Sequence, residues 1–378
     1  KSLQQIYYGA PGTGKSHTIN DTTKDEDVLR TTFHPDTDYA SFVGAYKPTT
    51  IDEQVMAVIG TQAVPVTNKD GSPRTESKIV YEFVAQSFLN AYIKAWEKQA
   101  NTADGEVKKQ YLVIEEINRG NCAQIFGDLF QLLDRNEYGF SEYPITADAD
   151  MKRQLQKAFN GLEVTDKGSI NKDFEGRDVV SEVLNGEILL LPNNFYIWAT
   201  MNTSDQSLFP IDSAFKRRWD WQYMPISNGN KGWMIEAGGK KYDWWQFLSA
   251  INAKIGSTTS SEDKKLGYYF CKANGEGVIT TDRFVGKVVF YIWNDVFKDY
   301  EFGDAIFNDP EGGKLTFDKF YTSEGKDSKV VEDNVVAFLS NLGVKPMEDG
   351  GAESLSDEAI ADNIVIKVNG QQVDKYNA

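Results

Sequence analysis

Apolar residues along the 378-residue chain gather into short runs separated by stretches of helical period. The runs are Leu3 to Tyr8, Val28 to Phe33, Tyr111 to Ile114, Phe195 to Met201 and Trp219 to Tyr223. Runs of this length between helical patterns read as parallel strands covered on both faces. The spacing predicts helices over Ser16 to Asn20, Asp38 to Gly44, about Tyr81 to Lys98, the stretch after Asn121, and Asp212 to Arg218. In the third, Phe83, Phe88, Tyr92 and Trp96 fall near one face and read as core packing. In the fourth, Ile125, Phe126, Leu129, Phe130 and Leu133 recur at helical spacing, with Asn121 as the cap. Strands and helices in this alternation predict an α/β fold with a five-stranded parallel sheet and ligands at its carboxyl edge.

Two stretches break the alternation. Ala63 to Glu82 alternates around Asp70-Gly71 and reads as a hairpin inserted between core elements. Residues 139 to 192 are polar and weakly periodic, and read as an insertion with a hairpin near Glu187 to Asn193. From about Trp233 the pattern changes to helices near Trp244 to Ile251, Val285 to Phe297 and Val330 to Leu342, a small helical lid. Residues 346–363 are acidic and rich in Gly, Ser and Ala, the composition of a linker. Asn369-Gly370 then opens a hairpin in 364–378, the start of a further domain.

Composition narrows the class. A net charge of −16 is poor equipment for gripping a polyanion over a broad surface, so any nucleic acid is expected to be held by a local patch, a partner or an absent amino-terminal domain. The two cysteines, Cys122 and Cys271, lack metal or redox spacing and read as small buried hydrophobes of a protein in a reducing, cytoplasmic compartment. No apolar run is long enough to span a bilayer, and no membrane partner is expected.

The chemistry is concentrated in Gly9-Ala10-Pro11-Gly12-Thr13-Gly14-Lys15-Ser16, which fits G-x-x-x-x-G-K-[ST] without mismatch between a strand and a helix. Its glycines let backbone N–H groups face phosphate oxygens, Lys15 supplies charge near the β and γ groups, and the Ser16 hydroxyl suits Mg²⁺. The nucleotide-binding set is therefore Gly9, Pro11, Gly12, Thr13, Gly14, Lys15 and Ser16, extended by position to His17. Neither His17 nor His34 has the partners of a metal ligand or a triad base. Hydrolysis also needs a metal-organising carboxylate, a residue that orients water, and positive charge for the transition state. Glu115 and Glu116 end the third apolar run and suit the first two roles; Asn202, ending the fourth, suits a sensor of the γ-phosphate. Arg217 and Arg218 close a helix and suit an arginine finger for a neighbouring subunit's nucleotide.

Tyr111 to Asn121 (YLVIEEINRGN), Met201-Asn202-Thr203-Ser204-Asp205, Asp212 to Trp219 (DSAFKRRW) and Phe33-His34-Pro35 with Tyr39, Phe42 and Gly44 together resemble the AAA+ module of the McrB family, GTP-hydrolysing motors of modified-cytosine restriction systems. The hairpin insert is similar to the helix-2 insert of that clade. The resemblance implies an AAA+ nucleotide-binding domain over 1–228 and a lid over 229–345. It also implies a ring, a hexamer, that binds Mg²⁺ and GTP at subunit interfaces, and an endonuclease partner of the McrC type acting on DNA. Carried over, Lys15 and Ser16 are the Walker A pair, Glu116 the catalytic glutamate, Asn202 the sensor, Arg217 or Arg218 the finger, and Asp205 a nucleotide-binding position. Two departures stand out: Glu115 replaces the usual Asp of Walker B, and Gln206 replaces the arginine of N-T-x-D-R, which keeps ATP open beside GTP. A MoxR-like chaperone acting on protein complexes shares these motifs, and a nucleotide-gated scaffold with little turnover is the remaining alternative.

Overall fold

The computed structural model describes residues 1–101, 106–205, 209–298, 305–324 and 327–347, together with a short ladder at 367–368 and 371–372. Chain contacts divide it into two compact units, Lys1–Gly229 with Ile255–Phe270, and Asn230–Lys254 with Cys271–Ala378.

The first unit is built on five parallel strands, β1 (Gln4–Gly9), β2 (Asp27–Thr32), β7 (Gln110–Glu115), β10 (Phe195–Asn202) and β11 (Asp220–Tyr223), in the order β11-β1-β10-β7-β2. Period-two alternation sorts their side chains onto two faces. Tyr7, Tyr111, Val113 and Trp198 lie with Ile19 of helix α1 (Lys15–Thr22) on one face. Ile6, Leu112, Ile114, Ile197 and Ala199 join the larger core on the other. β1, β7 and β10 are covered on both faces and read as nearly unbroken apolar runs, which is why they were visible in sequence, whereas the outer strands β2 and β11 are largely open to solvent. Helix α3 (Ser87–Ala100) buries Phe88, Tyr92 and Trp96, three residues at four-residue spacing, on that second face.

Three expectations are corrected. The insert after helix α2 (Tyr39–Phe42) is longer than the stretch 63 to 82: β3 (Gly44–Gln54) pairs antiparallel with β6 (Thr75–Ala85), and β4 (Met56–Ile59) pairs with β5 (Gln62–Pro65) at the tip. The turn at Asp70-Gly71 is present, with Gly71 N–H donating to Asn68 O at 3.0 Å. Consequently α3 begins at Ser87, not Tyr81, and Phe83 belongs to β6, where it meets Tyr46 edge-on across the ribbon. Second, residues 139 to 192 contain helices α5 (Ala149–Ala158), α6 (Lys167–Asn171) and α7 (Val179–Leu184), and β8 (Ile145–Thr146) pairs with β9 (Ile188–Leu189). Met151, Leu155, Val180, Leu190 and Leu191 are buried in the main core, so this stretch is structural rather than a loose insertion, and no hairpin forms at 187 to 193. Third, the helix after Asn121 stops at Phe126, where a 3₁₀ segment, Gly127–Leu133, takes over.

The second unit is not purely helical. It pairs Met234–Ala237 with Lys240–Asp243 antiparallel and with Val278–Ile279 parallel, and adds a ribbon of Tyr321–Glu324 and Asp327–Val330. Its aromatic core joins Phe247, Phe284, Phe307, Phe320 and Phe338. The expected boundary near 229 therefore has an exception, since 255–270 belongs with the first unit. Of the tail, the ladder of Lys367–Val368 with Gln371–Gln372 is the part described; the linker 348–363 lies outside the described residues.

Candidate active site

The loop between β1 and α1 turns sharply at Gly12 (φ 82°) and Gly14 (φ 89°), a backbone region that costs L side chains but not glycine. A Cβ on Gly12 would lie 2.4 Å from Phe270 N, because residues 267–270 are laid against the loop. Gly267 N–H donates to Pro11 O and Tyr269 N–H to Gly12 O, each at 2.8 Å. Lys15 is buried within the loop and donates through Nζ to Gly9 O (3.1 Å) and Ala10 O (2.9 Å). His17 is exposed two positions on, its Nε2 3.3 Å from Asp21 Oδ2.

Sheet register brings the remaining groups to the same edge. Ala199 lies beside Ile114 and Thr32 beside Glu115, so the carboxyl ends of β2, β7 and β10 lie together. Glu115 Oε2 accepts from Ser16 Oγ at 2.8 Å and from Thr200 Oγ1 at 2.6 Å. Its other oxygen accepts from Arg30 of β2. Glu116 follows in a left-handed conformation (φ 57°), unusual for a non-glycine residue, and its N–H donates to Thr200 Oγ1 at 3.1 Å. Strain of this kind persists where neighbours over-determine the geometry, and here it turns consecutive glutamates toward different partners, Ser16 and Thr200 for Glu115 and Asn202 for Glu116. Asn202 Nδ2 donates to Glu116 Oε1 at 2.6 Å. Asn118 is 2% exposed; its Nδ2 reaches Asn202 O at 3.0 Å, while its Oδ1 has no hydrogen-bond partner among the described residues. It lines a cavity of about 570 Å³ with Tyr8, Ala10, Thr203, Lys216 and Trp221.

The candidate set is thus partly assembled. Ser16, Glu115, Glu116 and Asn202 form one hydrogen-bonded cluster through Thr200, and Lys15 precedes Ser16 within the loop. The arginines separate. Arg218 is tied down: its Nη2 meets Asp134 Oδ2 at 2.6 Å, its Nη1 meets Ala214 O at 2.8 Å, and its guanidinium lies 3.9 Å over the Phe130 ring. Arg217 is exposed and its guanidinium makes no hydrogen bond or ion pair among the described residues. Asp205 ends a 3₁₀ turn, Thr203–Asp205, and Gln206 lies outside the described residues.

Sequence reasoning missed Arg30, Asn118 and Thr200. Thr200 had a signal, the one aliphatic hydroxyl in the apolar run FYIWATM, and it is 2% exposed. Asn118 sits inside the quoted EEINRGN stretch. Arg30 had none, because a cation on an edge strand is ordinary.

The cysteines fit the expectation of buried hydrophobes. Burial pushes the Cys122 thiol up to about 12 and raises that of Cys271, so neither is a reactive thiolate at neutral pH. No helix among the described residues is long and apolar enough to cross a membrane.

A family model described as an AAA domain of the dynein-related subfamily matches residues 5–219. The chain is 35% identical over 312 residues, 78% of its own length and 79% of the relative's, to the type II restriction enzyme BsuMI component YdiS of Bacillus subtilis strain 168. It is 21% identical over 315 residues to the type IV methyl-directed restriction enzyme EcoKMcrB subunit of Escherichia coli K12, covering 79% of this chain and 54% of that protein.

Proposed function

This chain belongs to the AAA+ family, among the McrB-like proteins of restriction systems, and from that premise we propose that it is a GTP-hydrolysing motor. Its working form is a ring, a hexamer, and its product is movement that licenses a McrC-like endonuclease to cut DNA. The DNA is held by the partner or a further domain, consistent with the net charge of −16. The choice of GTP rests on the resemblance to McrB.

The observation that carries the hydrolytic reading is the pair of contacts from Ser16 to Glu115 and from Asn202 to Glu116. Ser16 and Glu115 offer hard oxygen donors 2.8 Å apart, a set that fits Mg²⁺, and they would hold the ion directly and through its water shell. The ion, when bound, supplies charge neutralisation at the β- and γ-phosphates. Lys15 leaves its two carbonyl partners for the phosphates. Glu116 orients a water molecule and accepts its proton as the water oxygen bonds to the γ-phosphorus and the bond to the β-phosphate oxygen breaks. Asn202 fixes the Glu116 carboxylate in the pose that does this. Arg217, exposed and uncommitted, is the finger offered to the next subunit, and Arg218 is the brace that holds its helix end.

The test is turnover of GTP and of ATP by the wild type and by Glu116→Gln, with and without a partner nuclease. GTP release of phosphate that falls at least about a hundredfold in Glu116→Gln, with nucleotide binding retained, is the expected result. Turnover of ATP alone would overturn the choice of base. No turnover of either would overturn the motor. Mixing Arg217→Ala with Glu116→Gln subunits restores part of the activity if Arg217 acts in trans, whereas Arg218→Ala lowers the melting temperature first.

A further inference from the structure

Both carboxylate oxygens of Glu115 are engaged. Oε2 takes the Ser16 and Thr200 hydroxyls, and Oε1 takes Nη1 of Arg30, whose Nη2 is held in turn by Asn20 Oδ1 of α1. Arg30 comes from the edge strand β2, and its side chain is 33% exposed against 16% for Glu115. A planar guanidinium bridging two acceptors fixes both by geometry as well as by charge. Two consequences follow for a glutamate where an aspartate would be shorter. The additional methylene gives the carboxylate freedom that Arg30 and Thr200 remove. The cation also cancels part of the negative potential that the site would otherwise present to a divalent ion.

We propose that Arg30 is a positioning residue that holds Glu115 for turnover and at the same time opposes Mg²⁺, setting how much metal the site needs. The proposal rests on the nucleotide-hydrolysing reading above. Its two halves separate by chemistry. Charge controls the metal requirement, because a neighbouring positive charge lowers cation affinity through Coulomb repulsion. The fork controls orientation, because a point charge cannot bridge Glu115 and Asn20 together.

The experiment titrates Mg²⁺ into the full chain with a fluorescent, non-hydrolysable GTP analogue, and reads the half-saturating Mg²⁺ concentration beside kcat for GTP. Arg30→Gln is expected to lower the half-saturating Mg²⁺ about fivefold, because the charge is gone. Arg30→Lys is expected to leave it within twofold of wild type, because the charge remains. Both variants are expected to lower kcat, because neither carries the fork. Melting temperatures near that of the wild type show that the edge strand still pairs; should Arg30→Gln fail to fold, Arg30→Lys still tests the fork. An unchanged or raised Mg²⁺ requirement in Arg30→Gln overturns the opposition to metal, and an unchanged kcat in Arg30→Lys overturns the positioning. A wild type that binds no nucleotide in the presence of Mg²⁺ overturns the underlying nucleotide reading, and this proposal with it.

Discussion

Arg135 donates five hydrogen bonds: to Gln4 Oε1, to the carbonyls of Gly139, Leu191 and Pro192, and to Phe195 O. One side chain thereby ties β1 to the start of β10 and to the stretch that precedes it. Arg135→Met leaves buried carbonyls without a donor, so a loss of about 3–5 kcal/mol is expected in urea denaturation. A loss below about 1 kcal/mol would show that water replaces the guanidinium freely. At this scale the legibility of the site was uneven for a physical reason. Lys15, Ser16, Glu115, Glu116 and Asn202 stand in contiguous motifs or at strand ends, so local pattern exposes them. Arg30 and Thr200 act on Glu115 only because register sets Thr32 beside Glu115 and Ala199 beside Ile114, and no local pattern encodes a neighbour 85 residues away. Arg217 and Arg218, adjacent and chemically alike in sequence, differ in whether Asp134 and Phe130 fold against them.

Among elements, the sheet and the ribbon form opposite cases. The inner strands of the central sheet, β1, β10 and β7, are buried on both sides and leave an apolar signature that a short window detects. The ribbon of β3 and β6 is bare: Ile79 and Tyr81 are 74% and 70% exposed, and Val58 at the tip is 75% exposed. Its first strand has no partner nearby in sequence, so the turn and the alternation leading into β6 were legible while β3 was not. None of residues 55–74 is buried. Replacing them with a two-residue Asn-Gly turn is therefore expected to shift the melting temperature by no more than about 3 °C. A drop of about 10 °C in calorimetry would mean that the tip supports the core. The helices between 149 and 184 were missed for another reason. They run five to ten residues, too short for a helical period to stand out, and were recognised only once Met151, Leu155 and Val180 had a core to enter.

For the molecule as a whole, buried acids set an alkaline limit. Burial raises Tyr92 and Tyr111 above the ordinary phenol value of 10.0 and lifts Cys122 from 9.0 to about 12. A folded-state value above the unfolded one favours the protonated, folded form. That stability is complete below pH 9 and is lost as pH rises toward the folded value. At pH 10.5 Cys122 alone is expected to cost about 2 kcal/mol relative to pH 8, measured by urea denaturation. Arg135 does not offset this, since a guanidinium stays a cation over that range. A profile for Cys122→Ala that falls less steeply than that of the wild type, keeping only the loss due to Tyr92 and Tyr111, would confirm the source; parallel profiles would refute it. By itself the sequence determined the phosphate loop, the alternation of strand and helix, the paired glutamates and the asparagine that ends β10, because each is written in neighbouring residues. Tertiary structure decided which arginine is committed, how Glu115 is restrained and where 255–270 belongs, because those depend on groups brought together from distant parts of the chain by strand order and register.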